Sequence, residues 1–186
     1  MIFVARMVRA ARLDPSLYEE VEADRRAMGQ AAAVVVLSGV AGGIGAFAWG
    51  GLQAVAVGAI GAVGGWLIWA VLTYAIGVKL FPEPQTRSDL GELFRTIGFA
   101  SAPGVVRVFG LIPGARDGVF LAAAVWMLIA MVVAVRQALD YHSTSRALGV
   151  CVLGWLVQAV VFVLLLRAQG IDLTQMGRAP IGTPTP

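Results

Sequence analysis

Residues 27–78 decide the fold: AMGQAAAVVVLSGVAGGIGAFAWGGLQAVAVGAIGAVGGWLIWAVLTYAIGV. These 52 residues contain no Asp, Glu, Lys or Arg. Because a helix needs about 20 apolar residues to cross the hydrocarbon core of a bilayer, the run predicts two membrane-spanning helices. Residues 49–53, WGGLQ, combine two glycines with an interfacial tryptophan, so we place the turn there, between spans at about 31–49 and 52–78.

The composition of the whole chain is also that of a membrane protein. Hydrophobic residues make up 59% of the 186 residues and charged residues only 13%, against about 25% charged in soluble domains. The mean hydropathy is +0.82. A soluble globule of this size could not cover its surface with so few polar side chains. We therefore disfavour soluble enzymes, nucleic-acid-binding proteins and disordered regulators. The isoelectric point of about 9.6 is typical of nucleic-acid-binding proteins, but the positions of the charges favour membrane topology instead.

Three further segments complete the predicted bundle. Residues 118–135 and 147–166 are free of charge, and each predicts one more span. Residues 96–115 are apolar apart from one arginine, and they predict a third span kinked at Pro103, with a re-entrant segment as the alternative. The predicted fold is thus an all-α integral membrane protein, a bundle of five transmembrane helices over residues 31–167.

The distribution of basic residues predicts the orientation of these spans. Ten Arg and Lys residues fall on one side of the five-span topology and three on the other. Since cytoplasmic loops carry the excess of Arg and Lys, we expect a cytoplasmic N-terminus and an outer C-terminus. The Arg-rich, Lys-poor, Ala/Gly/Val-rich composition indicates a high-GC bacterium, so we expect its inner membrane. Residues 168–186 predict a flexible extracytoplasmic tail.

Residues 1–30 predict a short cytoplasmic arm. Arg recurs at every third position near the start and interrupts the apolar residues, which argues against a signal peptide. Arg6, Arg9 and Arg12 cover one face of a helix, which predicts a basic amphipathic helix on the lipid headgroups, with a frayed terminus as the alternative. The pair Asp14-Pro15 predicts the N-cap and first residue of a second helix.

The chain offers no pattern typical of catalysis, cofactor binding or metal binding. His142 and Cys151 are the only residues of their kinds, whereas zinc sites need three or four convergent ligands. The first, second, fourth and fifth predicted spans contain no Asp or Glu, which weakens the hypothesis of a proton-coupled transporter. We therefore predict that the protein is not an enzyme and has no cofactor and no metal.

Two sets of charged residues are candidates for interactions. Arg107 is the one charge inside a predicted span and is by default a functional-site hypothesis. The structural alternatives for Arg107 are snorkelling to the outer surface or a partner such as Asp117. Arg136 and Asp140, four residues apart at the inner end of the fourth span, can pair on one helix face.

Small residues recur at four-residue spacing in the first two spans. Gly39 and Gly43 form one such pair, and Gly61 and Gly65 form another. Small residues let helix backbones approach closely in lipid, so these pairs favour a tight hairpin of the first two spans or an oligomer interface. The full set of candidate interaction or structural residues is Arg107, Pro103, Gly98, Arg136, Asp140, Gly39, Gly43, Gly61 and Gly65.

The order of several motifs resembles a known family. Residues 64–69 (GGWLIW), 92–104 (ELFRTIGFASAPG) and 136–140 (RQALD) are together similar to the bacterial branch of the Yip-domain family, the Ypt/Rab-interacting-protein type of polytopic membrane protein. Within the second motif, Gly98-Phe99 followed by Pro103 is similar to the Gly-Tyr element of that family. The resemblance covers roughly residues 14–167, nearly the whole chain.

The resemblance implies five membrane helices with a cytoplasmic N-terminus. Eukaryotic members bind prenylated Rab GTPases in vesicle trafficking, but this chain has no acidic-Leu-Tyr-Gly-Pro element ahead of its first span, so a Rab-type GTPase is a doubtful partner. We expect a non-catalytic protein that organises protein or lipid partners, through association with the bilayer, with itself or with other membrane proteins, and not with nucleic acid. The alternatives are an accessory subunit of a larger membrane complex and a channel or transporter gated at Arg107 and Pro103.

Overall fold

The computed structural model describes residues 2–168, and this part of the chain contains seven α-helices and no β-strand. The α-helices are α1 Ile2–Ala11, α2 Pro15–Ala23, α3 Met28–Gly45, α4 Phe47–Thr73, α5 Leu90–Ala100, α6 Arg116–Ala138 and α7 Thr144–Ala168. Segments of other helix types are the 3-10 turn Arg25–Ala27, the π-helical stretch Tyr74–Leu80 and the 3-10 segment Ala102–Leu111. The predicted all-α class is confirmed.

Three helices of the described part are long and apolar enough to cross a membrane. They are Arg25–Gly45, Phe47–Leu80 and Arg116–Ala138, which correspond to the first, second and fourth predicted spans. A shorter apolar helical stretch, Thr144–Val160, lies where the fifth span is predicted. The apolar runs of the sequence therefore mark these helices to within a few residues.

The helices α3 and α4 form a tight antiparallel hairpin because glycines face each other where they cross. A Cβ atom on Gly43 would stand 2.3 Å from Val55 Cα, and one on Gly39 would stand 2.5 Å from Gly58 O. Only glycine permits backbones to approach this closely. The chain reverses around Gly51, whose φ of 55° suits glycine, and this position lies within the predicted turn.

The segment after α5 differs from the single kinked helix that the sequence predicts. The α-helix ends at Ala100, and the chain continues as the 3-10 segment Ala102–Leu111. Pro103 lacks the backbone N–H that an α-helix needs, so the helix type changes at this point. The two parts together run along α3, with Gly98 against Ala31 near one end and Gly110 against Gly45 at the other.

Two buried clusters hold the helices together. One joins α1, α2, α3, α5 and α6 around Tyr18 and Phe99, which are both fully buried. The other joins α4, α5, α6 and α7 around Ile97 and Leu139. The clusters meet on α5 and α6, so these two helices form the centre of the bundle. We call the end of the bundle at which α2 lies 'the α2 end'. The opposite end, where Gly45 lies, is 'the Gly45 end'.

Candidate functional site

A groove of about 590 Å³ lies between α4 and α6, whose backbones stay apart along most of their length. Helix α3 and the 3-10 segment form its floor. Glycine, alanine and apolar side chains line most of it, and Arg107 is the one charged residue in the lining within the described part of the chain. The volume falls in the range of about 300–1,000 Å³ that is typical of small-molecule sites.

Neutral oxygen atoms hold the guanidinium group of Arg107. Its Nε donates to Gly104 O at 3.0 Å, and its Nη2 donates to Ser38 O at 2.8 Å and to Ser38 Oγ at 2.9 Å. The third nitrogen, Nη1, lies beside Gly42, where an added Cβ would stand 3.2 Å from it. This nitrogen donates no hydrogen bond to any described residue, so it remains available to a ligand.

The expected partner of Arg107, Asp117, binds a different arginine. The Asp117 side chain is 93% exposed and pairs with Arg116 at 3.3 Å in the first turn of α6. Arg107 turns instead toward Ser38 in the body of α3, because the 3-10 segment packs along that helix. Among residues 2–168, Arg107 forms no ion pair, so only carbonyl and hydroxyl dipoles balance its charge in an apolar groove.

Four of the five candidate glycines form two pairs with different surroundings. Gly39 and Gly43 are used inside the α3–α4 hairpin, where any larger residue would collide with the backbone of α4. Gly61 and Gly65 line the groove, and a Cβ on either would meet no atom within 4 Å. The same sequence motif therefore serves internal packing in α3 and leaves open space in α4.

The sequence predicts that Arg6 faces the lipid headgroups, but its side chain points into the protein. It is 8% exposed. It donates to Glu20 Oε1 at 2.8 Å, to Asp24 Oδ2 at 2.9 Å and to Gln30 Oε1 at 3.0 Å. These acceptors lie on α2, just after it and at the start of α3, so they draw the basic face of α1 inward.

The rest of α1 follows the same arrangement. Arg9 pairs with Glu20 and with Asp14, and Arg12 is the only one of the three predicted surface arginines that is exposed. The outward face of α1 is apolar instead, with Ile2 and Val4 both more than 60% exposed. Asp14 is the N-cap of α2 and Pro15 its first residue, as the sequence predicts.

These contacts shift the pKa values of the paired groups. Hydrogen bonds from Arg9 and then Arg6 lower the pKa of Glu20, and the bond from Arg6 lowers the pKa of Asp24. Burial opposes the charge of Arg6, but its bonds to Glu20 and Asp24 outweigh this effect and raise its pKa. The network therefore favours the charged form of each partner.

A second set of charges at the α2 end was missed by sequence reasoning. Arg95 is 5% exposed and donates to the backbone carbonyls of Val21, at 2.9 Å, and of Glu22. The side chain of Glu22 has its pKa raised to about 7, first by burial and then by the nearby carboxylates of Glu92 and Asp140. These residues are far apart in the sequence, so no local spacing signals that they meet.

Arg136 and Asp140 do not form the expected pair in the described structure. Helix α6 ends at Ala138, and Asp140 has a φ of 51°, so its side chain leaves the helix face on which Arg136 lies. Arg136 donates instead to the backbone carbonyls of Tyr141, at 3.3 Å, and His142, at 3.4 Å. The arginine therefore closes the end of α6, as a basic residue at a helix C-terminus commonly does.

In the described part of the chain, no group of three His, Cys, Asp or Glu side chains could hold a metal ion.

Comparison with known proteins identifies the family. No curated protein and no solved structure matches the chain. The family model of the Yip1 domain matches residues 15–166, which run from the start of α2 into α7 and include the whole groove. The chain therefore belongs to the Yip1 domain family and is a helical membrane protein.

Proposed function

We propose that this chain is a non-catalytic protein that crosses the bacterial inner membrane five times and gathers protein and lipid partners within the bilayer. The three candidate spans are joined by α7 and by the segment from Leu90 to Leu111. That segment runs beside α3 and would reach about 35 Å if straight, more than the roughly 30 Å of the hydrocarbon core. The excess of basic residues favours a cytoplasmic α2 end. The predicted tail, residues 168–186, lies almost entirely outside the described residues.

The exposure of α4 is the observation that carries this proposal. Only 11% of its most apolar stretch is buried, against 44% for α3 and 28% for α6. Gly64 has no atom within 4 Å of where its Cβ would be, and Ile60 and Ile68, one turn away on either side, are exposed. A bare backbone between large apolar side chains suits close packing against another helix in lipid. The partner we propose for this face is α4 of a second copy of the chain.

Disulfide cross-linking of the full chain in vesicles tests this association. In a Cys151→Ala background, we expect Ile68→Cys on the exposed face of α4 to give a covalent dimer. Leu156→Cys, on an exposed face of α7, serves as the matched position and should give none. Adding Gly64→Leu should abolish the α4 cross-link, because the larger side chain separates the backbones.

Gly149→Leu is the control for that substitution, since Gly149 has the same open surroundings on α7 and its replacement should leave the dimer intact. Monomer alone from Ile68→Cys would overturn the proposed association. Equal cross-linking at residues 68 and 156 would also overturn it, because random collision in the bilayer gives that result.

An accessory subunit of a larger membrane complex is the second candidate, since the same bare face of α4 could pack against a different membrane protein. Native mass spectrometry of gently solubilised membranes separates the two proposals. A fixed ratio of this chain to another protein favours the accessory subunit, whereas a homodimer favours self-association.

A further inference from the structure

We propose that the groove between α4 and α6 binds one anionic phospholipid, whose phosphate is held by Arg107. This inference deepens the proposed function, because it names the lipid partner. It rests on three features of the groove: a guanidinium nitrogen that donates to no residue among 2–168, a charge with no carboxylate partner in that range, and an apolar lining.

The first feature is the direction of the hydrogen-bond donors. Nε and Nη2 of Arg107 are fixed by Gly104 and Ser38, which orients the guanidinium plane. Nη1 lies beside Gly42, and this residue lines the groove. An added Cβ on Gly42 would stand 3.1 Å from Cζ, 3.2 Å from Nη1 and 3.3 Å from Nε, so the missing side chain leaves the face of the guanidinium open to the groove. Phosphate oxygens are strong acceptors for such a group.

The second feature is the balance of charge. A guanidinium without a carboxylate partner among the described residues leaves a positive charge in surroundings of low polarity. A phospholipid with a net negative charge neutralises it, whereas a zwitterionic lipid brings its own cation into the same space. Charge complementarity therefore favours an anionic headgroup.

The third feature is the position and shape of the groove. Ser38 lies seven residues before Gly45, about 10 Å along the axis of α3 from that end of the bundle. A headgroup at the membrane surface and a long arginine side chain can bridge such a depth. Farther along, Met127 and Met131 of α6 face Trp66 of α4 across the groove. Flexible thioethers and an apolar ring suit an acyl chain.

Native mass spectrometry of the delipidated full chain in detergent tests the site. We expect phosphatidylglycerol to bind as a single adduct, phosphatidylethanolamine to bind at least fivefold more weakly, and inorganic phosphate at the same concentration to give no adduct. Arg107→Gln should lower phosphatidylglycerol binding at least fivefold, and Arg107→Lys should retain part of it. Arg116→Gln, which removes a charge at the Gly45 end outside the groove, should leave it unchanged.

Other outcomes would overturn the inference. Equal binding of both lipids or full binding by Arg107→Gln would exclude the site, as would an equal loss in Arg116→Gln. A phosphate adduct that displaces the lipid would show a site for a free anion instead. If Arg107→Gln does not fold, Gly42→Ala keeps the arginine, places a methyl group over the guanidinium face and should weaken lipid binding. Because the measurement is made on the lipid adduct and not on the dimer, this inference and the proposed self-association can fail separately.

Discussion

Two arginines are withdrawn from solvent at different places in the bundle, and the protein balances their charges in different ways. Arg6 meets two carboxylates and one amide oxygen at the α2 end. Arg107, half-buried beside α3, meets two backbone carbonyls and one hydroxyl among the described residues. The first arginine is part of a closed network, whereas within residues 2–168 the second has a donor without an acceptor and a charge without a carboxylate.

The difference separates a residue that holds the fold from a residue that is free to bind. When a buried charge has a complete set of partners, its removal destabilises the fold, because the partner charges are left unpaired. A charge held by neutral dipoles gains less from the fold and more from an anionic ligand. Stability measurements and ligand measurements should therefore rank the two arginines in opposite orders.

The largest effect on stability is expected from Arg6→Gln. The substitution removes the ion pairs with Glu20 and Asp24, so Asp24 loses its ion-pair partner and Glu20 keeps only Arg9. Because both carboxylates are about a third exposed, we expect a loss of about 2 kcal/mol, less than for a fully buried pair. In a chain of this size that lowers Tm by roughly 4–8 °C, which tryptophan fluorescence in detergent can measure.

Arg12→Gln is the matched control for this change, since Arg12 is exposed in the turn directly after the same helix and its loss should move Tm very little. Arg107→Gln should lower Tm of the delipidated protein by less than Arg6→Gln. Equal decreases in Tm for these two variants would contradict the proposed difference between the arginines, because they would mean that neutral dipoles hold an arginine as firmly as carboxylates do.

A smaller effect, of opposite sign, is expected at Glu22. Its folded pKa of about 7 lies above the ordinary value of 4.5, so the fold favours the neutral form. The stability from this preference is complete below pH 4.5 and is lost as the pH rises through 7. Glu22→Gln should therefore raise Tm at pH 8, by about 2–4 °C if solvent screening reduces the effect to about 1 kcal/mol, and change it little at pH 5.

Asp117→Asn provides the control, since this carboxylate is exposed at the Gly45 end and should give no pH-dependent gain. Glu20 and Asp24 behave oppositely to Glu22, because their lowered pKa values make their stabilising effect disappear as the pH falls. A gain in Tm from Glu22→Gln, relative to the unsubstituted protein, that is as large at pH 5 as at pH 8 would contradict the assignment of the raised pKa.

The sequence predicts the helices well because apolar runs and helix caps are local signals. The charge-free run of residues 27–78 marks α3 and α4, and Asp14-Pro15 marks the start of α2. The capping box of Asp89 and Glu92 at the start of α5 is a further signal of this local kind. Each of these signals depends on neighbours within one or two turns.

The contacts of the candidate site depend on tertiary packing, which no local spacing reveals. The pattern of Arg6, Arg9 and Arg12 is the same whether a basic face meets headgroups or the acidic residues of α2. The pairs Gly39/Gly43 and Gly61/Gly65 have the same spacing in the sequence, yet a neighbouring helix fills the space beside only the first pair. Arg107 stands out in the sequence as a charge within an apolar segment, but its partner depends on how the 3-10 segment lies along α3.

The smallest effect that separates the two arginines is expected from Ser38→Ala. The change removes the hydroxyl that accepts from Arg107 Nη2 at 2.9 Å, but the same nitrogen keeps the Ser38 carbonyl at 2.8 Å. Single hydrogen bonds inside membrane proteins average about 0.6 kcal/mol, so Tm of the delipidated protein should fall by no more than about 3 °C. A decrease as large as that for Arg6→Gln would show that the Ser38 hydroxyl does for Arg107 what two carboxylates do for Arg6. A small decrease in Tm, with phosphatidylglycerol binding retained, would mean that the hydroxyl orients the guanidinium of Arg107. The strongest interaction of that group would then be with its ligand.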